Sequence, residues 1–69
     1  MLNKENMTPR QIEFCKKAET LGYEVQEYNG RNFHRGYGII VDNVMNAVAD
    51  LGMKGLLWDN MGLQFILYV

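Results

Sequence analysis

The sequence predicts an α+β domain of two layers, in the order α-β-β-α-β-β, with two helices covering one face of a four-stranded antiparallel sheet. Three observations predict it. Two segments repeat apolar residues at helical spacing and run into Gly22 and Gly52. Two pairs of strand-like runs are each joined across a glycine-bearing turn, and no linker or low-complexity stretch divides residues 1–69, which form a single domain.

Thr8 opens the first helix, with Pro9 at the first helical position and Gln11 completing a capping box. Residues 1–7 precede the cap and are expected to be flexible, although Met7 and Ile12 are placed for a hydrophobic staple. Phe14, Cys15, Ala18 and Leu21 share one arc at 100° per residue, which makes the helix one-sided, and Gly22 ends it.

Residues 23–28 alternate aromatic or branched side chains with polar ones, and Asn29-Gly30 follows, a short-range signal for a two-residue hairpin turn. A return strand from Arg31 would then set Val25 against His34, Gln26 against Phe33 and Glu24 against Arg35, the last an exposed pair of about 0.2 to 1 kcal/mol. Gly36-Tyr37-Gly38 is expected to interrupt that strand, marking a bulge or a close backbone approach, with the break re-aiming Tyr37. Ile39, Ile40 and Val41 then run without polar alternation, as a central strand does.

Asp42 or Asn43 caps the second helix, where Val44, Ala47, Val48 and Leu51 follow the i, i+3, i+4, i+7 spacing. Residues 56–59 form a third strand, residues 60–62 a three-residue loop, and residues 63–69 the last strand. The same element order arises when the first strand of a ferredoxin-like βαββαβ fold is moved to the carboxyl end, which makes the second and fourth strands central. Around a 60–62 loop, Leu57, Phe65, Leu67 and Val69 share one face, and Leu56, Trp58, Ile66 and Tyr68 the other. Since helices cover only one face, one of these apolar sets should lie open as a binding surface.

A chain of 69 residues hides only about 60% of its unfolded surface and rarely draws more than roughly 3 to 5 kcal/mol from one core, so self-association as a homodimer is expected. Its only cysteine, Cys15, excludes an internal disulfide and, with one histidine, leaves too few ligands for structural zinc. No cofactor or metal is expected. A polar amino terminus and a longest apolar run of 65–69 argue against a leader and a membrane span, so a soluble, cytoplasmic protein without membrane contact is expected. The net charge of −1 gives no overall pull toward nucleic acid.

Candidate binding residues fall in two groups. Arg31, Phe33, His34, Arg35 and Tyr37 gather charge and aromatic surface after the turn, where arginines could hold a phosphate and His34 move a proton. Trp58, Ile66 and Tyr68 belong to the apolar sheet set, suited to a protein partner, to a second copy, or to stacking bases. A protein contact is the favoured role, with a ribonuclease using His34 and a nucleic-acid-binding module as alternatives.

The stretch Gly30-Arg31-Asn32-Phe33 through Gly36-Tyr37-Gly38-Ile39-Ile40-Val41-Asp42-Asn43, with Asp59-Asn60-Met61-Gly62-Leu63 and Ile66-Leu67-Tyr68, resembles small accessory proteins of bacteriophages and mobile elements. That resemblance implies a protein-binding inhibitor of a host defence component, as anti-CRISPR proteins are. Leu21-Gly22-Tyr23-Glu24 followed by Gly30 to His34 is also similar to the opening of HicA-type toxins, which implies a messenger-RNA ribonuclease with His34 as its histidine.

Overall fold

The structure is a computed structural model that describes residues 4–30 and 35–69. Arg31, Asn32, Phe33 and His34, and the side chains of Lys4 and Arg35, lie outside the described residues.

A 3-10 turn, Lys4–Asn6, leads into helix α1, Pro9–Thr20. The Thr8 hydroxyl accepts the Gln11 amide at 3.1 Å and the Gln11 side chain accepts the Thr8 amide at 2.9 Å, so two amides at the helix start are satisfied reciprocally. Met7 is buried in the core, with the Cys15 thiol 3.9 Å from its sulfur. At the other end, the Tyr23 amide donates to Ala18 O and the Gly22 amide to Glu19 O, both at 3.0 Å. This paired closure needs the left-handed φ of 91° at Gly22, which a Cβ would oppose. Phe14, Cys15 and Ala18 are buried as the arc predicts, whereas Leu21, at the carboxyl cap, is exposed.

Strands β1 (Gln26–Asn29) and β2 (Arg35–Val41) are followed by helix α2 (Val44–Leu51), capped by Asn43, whose side chain accepts the Asn46 amide at 2.9 Å. Strands β3 (Leu57–Met61) and β4 (Gln64–Tyr68) complete the chain. The sheet is antiparallel throughout, in the order β1-β2-β4-β3, with the second and fourth strands central. Among the described residues no helix is long and apolar enough to cross a membrane.

The core lies between this sheet and the helices. Tyr37, Ile39, Val41 and Leu67 project from the central strands onto Phe14, Cys15, Ala18, Ala47, Leu51 and Met53, with Val25, Phe65 and Val69 packed at the margin. That burial overrides two local turn signals. The first hairpin is not a two-residue Asn29-Gly30 turn. Gln26 pairs with Gly38 and Asn29 with Arg35, so five residues connect the strands, and Val25–His34, Gln26–Phe33 and Glu24–Arg35 are not the partners. The expected register would have set Val25 on the face of Gly36 and Gly38, away from the helices. The observed one returns it to the face of Tyr37 and Ile39, where its apolar surface is covered.

Nor does Gly36-Tyr37-Gly38 form a break. Pairing runs continuously from Gly36 to Gly38, and Tyr37, instead of being re-aimed outward, is buried on the helix side, its backbone exchanging two hydrogen bonds with Val69 at 3.1 and 3.0 Å.

In the second hairpin Met61 pairs with Gln64, leaving a two-residue loop, Gly62-Leu63, in place of the expected loop at 60–62. Gly62 takes φ 84° at the first loop position, where such hairpins favour glycine, and its amide donates to Asn60 Oδ1 at 2.8 Å. Leu57 therefore opposes Tyr68 and Trp58 opposes Leu67, three residues out of the expected register. An odd slip reverses every face assignment in one strand relative to the other. Here it sends Phe65, Leu67 and Trp58 to the helix side, and Leu57, Ile66 and Tyr68 to the opposite side.

Candidate functional site

The face away from the helices is closed over its centre. Tyr28, on the outer strand β1, stands over Gly36, its cross-strand partner, and meets the Tyr68 ring edge-on at 4.8 Å between centroids. Its hydroxyl reaches on to donate to Asp59 Oδ2 at 2.6 Å, on the opposite outer strand. The Tyr28–Asp59 pair thus links the two outer strands across this face, above a central strand that carries no side chain at Gly36 and Gly38. The space above Gly38 is filled by Ile66, whose Cγ1 would lie 2.9 Å from a Cβ at that position. Gly30 rests against the Tyr68 ring so closely that a Cβ there would collide with it.

This closure changes the set of candidate binding residues. Ile66 is 0% exposed and Tyr68 4%, so neither is open to a partner or a base. Trp58, 47% exposed, lies on the other face of the sheet and stacks edge-on with Phe65 at 5.5 Å. The expected open patch of Trp58, Ile66 and Tyr68 is therefore not one surface. Tyr37 is in the core. Arg31, Phe33 and His34, and the Arg35 side chain, lie outside the described residues, so the structure neither gathers them nor separates them.

What is open is the margin of β3. Leu57, Trp58 and Met61 are each about half exposed, and Leu63 at the hairpin tip is 99% exposed. Among the described residues, these four stand with Leu21 and Met45 as the only large exposed hydrophobics. The signal was present in the sequence, since a two-residue turn that begins at Gly62 places Leu63 at a loop tip, but the three-residue reading of the loop put Leu63 inside a strand. Asp42 is held at the neighbouring end of the sheet, accepting the Gln64 side chain at 2.9 Å.

The remaining charge lies apart. Arg10 donates through Nη2 to the Lys54 carbonyl, fastening α1 to the loop before β3, and Lys17 lies 3.7 Å from Glu13. A shallow groove of about 650 Å³ runs along this helix, lined by Pro9, Arg10, Ile12, Glu13, Lys16 and Lys17. Its cations alternate with carboxylate and apolar surface, which suits a solvated helix face. Among the described residues, no three His, Cys, Asp or Glu side chains come together to hold a metal ion.

Comparison with family models, curated proteins and solved structures finds no match. The fold and the surface define a class, a small two-layer α+β domain with one apolar outer strand.

Proposed function

We propose that this chain is a non-enzymatic protein-binding protein whose contact surface is the β3 margin and the hairpin tip that follows it. One observation carries the reading: four of the six large exposed hydrophobics among the described residues fall within residues 57–63. Scattered exposed leucines need no explanation, but four large apolar side chains gathered on one outer strand and its hairpin tip are surface of the kind that partners cover. The inhibitor role that the phage resemblance implies is one form such a contact takes.

A photo-crosslinking residue placed at Leu63, and in a separate variant at Lys16, tests the surface. Adducts with protein are expected from position 63 in cells and not from position 16. Equal yields at both positions would remove the surface assignment. RNA cleavage by the purified chain that disappears in His34→Ala would remove the non-enzymatic reading itself.

A further inference from the structure

We infer that the occupant of the β3 margin is a second copy of this chain. Two β3 strands pair antiparallel about a two-fold axis at Asp59, joining two four-stranded sheets into one of eight. This rests on the reading of residues 57–63 as the contact surface and adds what sits there.

Among the described residues β3 pairs with β4 alone, so its outer margin offers main-chain groups to another strand. Outer strands are commonly guarded by lysine, proline or a bulge. β3, with the sequence Leu-Trp-Asp-Asn-Met and unbroken pairing to β4, has no lysine, proline or bulge, and its one charge is Asp59. The other outer strand, β1, is a residue shorter and carries exposed Glu27.

One face of β3, that of Leu57, Asp59 and Met61, keeps its apolar ends when read backwards. Leu57 and Met61 lie on one face, two residues to either side of Asp59, so the axis sets Leu57 against Met61 of the second copy and the reverse, with Trp58 against Asn60. Matched apolar pairs repeated by symmetry make an isologous contact.

Charge is the one feature that opposes this register, because Asp59 meets Asp59 of the second copy at the axis, and like charges directly opposite destabilise a strand pair. The fold removes that conflict. Asp59 directs its carboxylate back across its own sheet to the Tyr28 hydroxyl, 2.6 Å away, and so away from the axis. The Tyr28 bond that closes the sheet face thereby also clears the margin for its mate.

The area available sets the strength. A standard interface takes roughly 800 Å² from each partner, about a sixth of this chain's 4870 Å² surface. A five-residue margin, roughly 17 Å long, falls at the low end of that scale, so the dimer is reversible.

Sedimentation velocity over a concentration series tests the inference on wild type, Leu57→Lys, Leu63→Asp, Tyr28→Phe and Met45→Lys, with a thermal melt of each. Wild type should pass from monomer to dimer as concentration rises. Leu57→Lys should weaken the dimer at least tenfold, Tyr28→Phe severalfold, and Met45→Lys, on exposed α2 surface, not at all. Leu63→Asp changes a side chain that touches little of its own fold, so its severalfold weakening is read without loss of folding. A monomer at every concentration, with crosslinking at position 63 intact, would overturn the dimer and leave the contact surface standing. Loss of both would end both readings, and a dimer sensitive to Met45→Lys but not to Leu57→Lys would place the interface elsewhere and overturn the inference.

Discussion

Tyr28 and Tyr68 touch each other, yet their hydroxyls stand in opposite positions. The Tyr28 hydroxyl donates to a carboxylate, a bond of the kind that contributes about 1.5 kcal/mol or more net. The Tyr68 hydroxyl is buried with no hydrogen-bond partner among the described residues, and leaving such a group unsatisfied costs about 1 to 3 kcal/mol. Removing the same oxygen should therefore have opposite effects. Tyr28→Phe is expected to destabilise the fold by about 1.5 kcal/mol and Tyr68→Phe to stabilise it by up to about 1 kcal/mol, as chemical denaturation would show. A loss of stability in Tyr68→Phe would mean that the hydroxyl has a partner in solution. The glycines divide in the same way: a Cβ at Gly22 meets no atom within 4 Å, so Gly22→Ala should cost only the roughly 1 to 2 kcal/mol of its left-handed backbone. Gly30→Ala carries no left-handed backbone cost but must displace the Tyr68 ring and should cost more, a ranking that parallel melts would check.

Among the elements, the helices follow their local residues and the hairpins do not. Thr8, Pro9 and Gln11 cap α1, and Asn43 caps α2, because each capping bond closes within three residues and needs nothing from the rest of the chain. Thr8→Ala should accordingly cost about 1 kcal/mol, measured as a lower denaturation midpoint with an unchanged slope. The hairpins obey a longer-range demand. Asn29-Gly30 is a favoured turn, but accepting it would place Val25 on the side of the sheet away from the helices. Full burial of a valine is worth about 1.5 kcal/mol or more, and Val25, partly buried, gains a share of that in the observed register, which displaces the turn preference. The same contest moved the second loop to Gly62-Leu63, where a glycine with φ 84° met both needs.

For the whole molecule, one core forms where the two central strands meet the helices. A chain this small rarely draws more than roughly 3 to 5 kcal/mol from its core, and Leu67, fully buried, pairs with Ile39 and packs toward the helices. Leu67→Ala should remove about 2 to 5 kcal/mol, leaving a chain that is largely unfolded at 37 °C by circular dichroism. An almost unchanged melt would mean that the helices re-seat over the cavity, or that a partner supplies the missing stability.

The sequence by itself determined the number, order and type of the elements, the capped helix ends and the central place of the second and fourth strands. Periodicity and caps are local, and the most apolar strands must lie inside. Only the tertiary structure decided the registers, and with them which side of the sheet each residue occupies. Side chains alternate with period two, so an odd slip in a hairpin exchanges core and surface throughout a strand, and the helices alone select the correct side. For that reason Ile66 and Tyr68, which look in the sequence like an open apolar patch with Trp58, are buried beneath Tyr28. The exposed apolar surface instead runs along Leu57, Trp58, Met61 and Leu63 at the outer strand.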